Sequence, residues 1–231
     1  MNSTDFHAFG RDHLISAWAD LFGRAPELHE RQIVQAVAVG EGGYGRASYK
    51  NQFTGETAVI NNWGASQCGH GPPCGPNCFE VTDTHADGSK YNWCYHRFAT
   101  PEEGARAYLK ILKQIVDRKS DFFEALASRS TDVFVAAMKA GGYFELALTK
   151  YQDNVWSNVQ KIASTLGEPL SVSREGSASG DDPFLPLLSL PPVSGPDSKP
   201  RGSSNGEVDM KALDRIIPSI DIDLFVEDED E

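Results

Sequence analysis

Glu41 is the residue of this sequence best suited to acid chemistry. It stands in Ala38-Val39-Gly40-Glu41-Gly42-Gly43-Tyr44-Gly45, where an apolar run meets a glycine-rich turn. A carboxyl backed by apolar side chains and flanked by glycines is partly desolvated. Desolvation holds a carboxylic acid in its protonated form towards neutrality, as a general acid that protonates a leaving glycosidic oxygen requires. The second concentration of reactive groups is Cys68, Cys74, Cys78 and Cys94, spaced C-x5-C-x3-C-x15-C, with His70, His85 and His96 close by. Two chemistries fit: a pair of disulfides, or a structural zinc on the four thiolates. The paired C-x2-C spacing of common zinc sites is missing, which favours bridges, and four cysteines allow three pairings.

The elements that must position these groups are mostly helical. Apolar periodicity predicts helices at 11–22 and 25–40, the second ended by Gly42-Gly43. Thr100-Pro101-Glu102-Glu103 reads as an N-terminus, with Thr at the N-cap, Pro at N1 and Glu at N3, opening a helix to about Asp117. Further helices are predicted at 121–127, 131–140 and 145–166, with Gly167 closing the last. Between these groups, Asn51 to Phe98 is rich in Gly, Asn, Thr and Pro. It holds short β-like runs at 56–60, 79–84 and 91–98, and Asp87-Gly88 suggests the turn of a hairpin. The predicted fold is α+β: a mainly helical body with a small inserted β-hairpin lobe, and a site in the cleft between the two.

Charge divides the chain. Of 231 residues, 33 are acidic and 21 basic, a formal net charge of −12. That balance argues against a nucleic-acid partner, which calls for a basic stripe. No apolar run is long enough to span a bilayer. From Gly167 onward, 15 acidic residues face 5 basic ones, and 8 of the 13 prolines fall there. Such a segment buries too little apolar surface to offset its ordering entropy. The expected organisation is an arm at 1–11, a globular domain at 12–166 and a disordered Pro/Ser-rich acidic tail at 167–231. Within the tail, 210–225 carries spaced apolar residues from Leu213 to Phe225. It reads either as a docking peptide for a protein partner or as a solvated acidic terminus.

Four stretches, in order, carry a resemblance. Glu41-Gly42-Gly43-Tyr44-Gly45 resembles the Glu-Ser-Gly-aromatic-Gly motif of the lysozyme-like glucosaminidases that cut bacterial peptidoglycan, the family that includes flagellar rod-type muramidase domains. Asn61-Asn62-Trp63-Gly64-Ala65 is similar to that family's Asn-aromatic-Gly stretch. Phe98-Ala99-Thr100-Pro101-Glu102-Glu103-Gly104-Ala105 resembles its entry into the next helix. Lys139-Ala140-Gly141-Gly142-Tyr143, with Tyr151 after it, resembles its Gly-Tyr-Ala-x-Asp-x-x-Tyr segment.

The resemblance implies a lysozyme-like two-lobed domain acting on the glycan strand of peptidoglycan, with Glu41 as general acid. It implies a second carboxylate roughly 40 residues on, which is Glu80, or Asp83 in its place, to manage water or transition-state charge. It also implies that Tyr44, Asn62, Trp63 and Tyr143 bind substrate, with Trp63 as a sugar platform and Asn62 as an amide hydrogen-bonder. A hinge role for Trp63 and a core role for Tyr143 stand beside these. A lytic transglycosylase and a non-catalytic glycan-binding module are the alternatives. No cofactor is expected apart from the alternative zinc. The expected place of action is the bacterial cell wall, periplasmic or extracellular. Met1 to Arg11 lacks a secretory layout, which fits a phage-encoded protein or another delivery route. The sequence departs from the family pattern at Gly42, where a Ser is usual, and at Phe144-Glu145, where an Asp is usual. It also shows no repeated wall-binding module.

Overall fold

The structure, a computed structural model, describes residues 1–84, 88–144 and 146–174. His85, Asp87, Glu145, the tail from 175 and the peptide at 210–225 lie outside the described residues, as does the side chain of Asp83.

The order is α1 (Ser3–Phe22), α2 (Leu28–Gly42), a 3₁₀ turn (Gly43–Gly45), β1 (Ser48–Lys50), β2 (Thr57–Val59), β3 (Cys78–Thr84), β4 (Lys90–His96), α3 (Pro101–Val116), α4 (Phe122–Ala127), α5 (Thr131–Gly141) and α6 (Leu148–Leu166). The α+β expectation holds. A helical body carries two antiparallel pairs, β1–β2 and β3–β4. No helix among the described residues is long and apolar enough to cross a membrane.

Local chemistry sets the helix ends. Thr100 caps α3 by accepting from the Glu103 N–H at 3.2 Å. Glu103 reaches back to the N–H of Ala99 at 2.9 Å, one residue earlier than the reciprocal bond of a capping box. Asp121 and Ser130 cap α4 and α5 in the same way, each such cap contributing about 1 kcal/mol. Gly142 and Gly167 close α5 and α6 with φ of 87° and 66°, a left-handed conformation that only glycine adopts without cost.

Two expected boundaries move. The segment taken as an arm is helical: α1 starts at Ser3, where the Asn2 side chain accepts from Asp5 N–H, and its first turns bury His7 and Gly10. The body also runs past Gly167. Arg31, only 5% exposed, pairs with Glu168. Gln32 donates to the Pro169 carbonyl at 2.8 Å and accepts from the Ser171 N–H at 3.0 Å. Ser173 then pairs with Ser130. Composition assigns these residues to the tail, yet a buried guanidinium on α2 needs the Glu168 carboxylate.

The apolar side chains form two clusters. The larger runs through the helices and includes Leu14, Trp18, Ile33, Leu109, Phe134 and Val159. The smaller holds Ile60, Ala65, Phe79, Val81 and Tyr95 in the β lobe. Disulfides Cys68–Cys78 and Cys74–Cys94 cross that lobe, and none of the four cysteines is free. The four-thiolate zinc set of the sequence reading is therefore replaced by two bridges.

Candidate active site

Glu41 lies half-buried in the last turn of α2. Gly43 ends that helix with φ 54°, and its N–H returns to the Val39 carbonyl. The chain beyond is fixed by a close crossing. A Cβ on Gly42 would lie 2.4 Å from the Asn62 carbonyl oxygen, and one on Gly104 would lie 1.8 Å from that of Asn61. The Asn61–Ala65 stretch is thus wedged between the end of α2 and the start of α3. A glycine is required at 42 by the approaching backbone.

Strain concentrates at the same place. Among the described residues, four non-glycine residues have positive φ, and three of them are Tyr44, Asn61 and Ala65. Such conformations persist where surrounding packing over-determines them, and they gather at functional sites.

The packing gives three of the expected substrate contacts a different task. Tyr44 is wholly buried, its ring against Gly10 and its hydroxyl 2.9 Å from His7 Nδ1 and 3.3 Å from Gln35 Nε2. Burial pushes its phenol well above the ordinary range, so it stays neutral. Trp63 is also 0% exposed and packs with Tyr44 and Tyr108, so its indole has no face to offer a sugar. Asn62 donates to the Ser66 and His96 carbonyls at 2.8 and 3.0 Å and accepts from the Ser66 N–H at 2.9 Å. Its amide is occupied in shaping the 62–66 turn. Tyr143 is buried too, and its hydroxyl would sit 3.5 Å from a Cβ at Gly64. Tyr44, Trp63 and Asn62 are thus taken up in the packing beneath the site, and Tyr143 is buried beside Gly64.

Tyr151 meets Glu41: its hydroxyl donates to Glu41 Oε1 at 2.6 Å. Tyr151 sits in the first turn of α6 and is 6% exposed. Its ring lies flat on Phe144, centroids 3.9 Å apart and planes within 6°. Lys139, near the end of α5, donates to the Phe144 and Leu146 carbonyls at 3.0 and 3.1 Å. The chain from Lys139 through Phe144 and Tyr151 fixes one oxygen of Glu41. Asn158 donates to the Ala36 carbonyl at 3.1 Å, holding α6 against α2 along the same interface. Phe144 is the ring against which Tyr151 stacks.

Glu80 occupies β3, opposite Cys94 in the ladder. Phe79 and Val81 turn to the lobe's apolar cluster. Glu80 and Thr82 share the other face, where Asn92 donates to Glu80 and accepts from Thr82 at 2.7 Å. The Thr82 hydroxyl also accepts from the Gln52 N–H at 2.8 Å, which joins the two hairpins. Asp83 pairs with Tyr91 in the same ladder.

No family model matches the sequence, and no curated protein matches it either. Among solved structures, the chain is similar to a C-terminally truncated glycoside hydrolase domain from Salmonella typhimurium FlgJ. The TM-score is 0.47 at 17% identity, over 71% of this chain and 99% of that one. It is also similar to the catalytic domain of the autolysin Auto from Listeria monocytogenes, with a TM-score of 0.44 at 11% identity, over 72% of this chain and 86% of that one.

Proposed function

We propose that the chain is a peptidoglycan hydrolase that cuts the β-1,4 glycan strand at the bacterial cell wall, with Glu41 as general acid. The hydrogen bond from Tyr151 to Glu41 carries this reading. A carboxyl at a helix end, held through one oxygen by a buried tyrosine, is built to keep one orientation. In its protonated form Glu41 gives its proton to the leaving glycosidic oxygen. Cleavage leaves an oxocarbenium-like sugar that needs negative charge or an activated water. Glu80 is the group assigned to that role, with Asn92 holding its carboxylate. The four ordered stretches of sequence resemblance supply the substrate class.

Glu80's engagement with Asn92 also keeps the transglycosylase alternative in view, since that reaction needs only one acid that returns as base. Reducing-end release from purified peptidoglycan tests the proposal, with products sized by mass spectrometry. Wild type is expected to turn over, and Glu41→Gln to lose roughly a hundredfold or more. Anhydro-muramic ends would assign the transglycosylase, and wild-type inactivity with an intact fold would assign a binding module.

A further inference from the structure

A second cluster of ligating side chains lies in the β lobe. The sulfurs of Cys68 and Cys78 and a ring nitrogen of His96 all lie within 4.8 Å of one another, each side chain half-buried. Among the described residues, no other group of His, Cys, Asp or Glu gathers three potential ligands this closely. The disulfide accounts for the two sulfurs being together, but not for His96.

The backbone brings the three together without help from the S–S bond. Cys78 and His96 are direct partners in the β3–β4 ladder, so their side chains leave the same face. The 66–68 segment runs beside the end of β4: His96 N–H donates to the Ser66 carbonyl at 3.1 Å, and Cys68 N–H to the Cys94 carbonyl at 2.8 Å. Neither of these backbone bonds depends on the sulfurs for its donor or acceptor.

We propose that, when the Cys68–Cys78 bond is reduced, the two thiolates and the His96 imidazole bind a zinc ion. A dithiol reductant supplies two electrons and two protons and is itself oxidised to a disulfide. The S–S bond breaks to two thiols, and zinc displaces their two protons on binding. Tetrahedral zinc with Zn–S near 2.3 Å holds its sulfurs about 3.8 Å apart. The Cα atoms of Cys68 and Cys78 are 6.6 Å apart, which accommodates that separation by side-chain rotation. Two soft sulfurs and an imidazole select zinc over magnesium or calcium. Three protein ligands leave the fourth position to water. The other bridge, Cys74–Cys94, has no imidazole in such a group among the described residues. The bound ion would do for the reduced lobe what the bridge does for the oxidised one, tying β3 to the loop before it.

The test is zinc retention by the full chain, oxidised and after dithiol treatment, measured by competition with a chromogenic chelator. The oxidised chain is expected to retain none and the reduced chain a single zinc. His96→Asn, which as the oxidised protein should keep the wild-type near-UV circular dichroism, is expected to bind at least roughly tenfold more weakly. Cys68→Ser/Cys78→Ser is expected to bind none. X-ray absorption of the reduced wild type reads the ligands without any variant, and two sulfurs with nitrogen at zinc are expected. Absence of zinc from the reduced wild type would overturn the proposal. So would binding that is unchanged in His96→Asn, or a four-sulfur coordination shell.

Discussion

In the helical body, Trp18, Leu109, Phe134 and Val159 belong to one apolar cluster spread over the helices. The β lobe gathers Ile60, Ala65, Phe79, Val81 and Tyr95, and adds two disulfides. The body folds on burial, whereas the lobe has too few apolar side chains for that and relies on covalent closure. The proposed chemistry follows the same division. The acid and its tyrosine stand on the body, between α2 and α6. The proposed second carboxylate stands on the lobe, in β3.

Trp63 tests where the border lies, and it carries the largest expected stability effect. By position in the chain it belongs to the lobe, but its indole is in the body's cluster. Trp63→Ala is expected to cost about 3–5 kcal/mol in urea unfolding of the whole chain. A loss confined to the lobe, with the helical signal unchanged, would redraw the border.

A smaller effect is expected from trimming the body's far edge. A chain ended after Gly167 loses Glu168 and leaves the Arg31 guanidinium buried without that partner. It is expected to be about 3 kcal/mol less stable than one ended after Arg174. Equal midpoints in urea would mean that the 168–174 segment contributes nothing.

The smallest effect is a pH dependence belonging to the body. Burial first, and then Lys161 for His7 and Arg129 for His29, push both imidazoles below 6.5. The unfolded chain therefore binds more protons than the folded one as pH falls past 6.5, and stability declines until both folded values are passed. The decline between about pH 7.5 and 5.5 is expected to shrink in His7→Gln. An unchanged slope would remove His7 from that linkage.

The sequence made the body far more legible than the site. Thr100-Pro101 and the apolar spacing that follows locate α3 because capping and periodicity are local. β1 leaves no sequence signal: its three residues, Ser48–Lys50, are too short for an alternation to register. Tyr44, Asn62 and Trp63 lie in glycine-rich stretches and look like ligand residues. What buries them is distant packing, against Gly10, His96 and Tyr108. The glycines at 42 and 104 were the available signal, since they mark where backbones cross. Tyr151 carries no local signal of its role, because its partner is 110 positions away.

The role of Tyr151 is tested by turnover of purified peptidoglycan by Tyr151→Phe beside wild type, with unfolding midpoints taken on both. Removing one hydroxyl keeps the ring on Phe144 and takes away the hydrogen bond to Glu41 Oε1. If Tyr151 orients the acid, kcat is expected to fall roughly tenfold or more with KM little changed and the midpoint near wild type. A Tyr151→Phe chain that turns over at the wild-type rate would contradict the assignment of Glu41, held by Tyr151, as the proton donor.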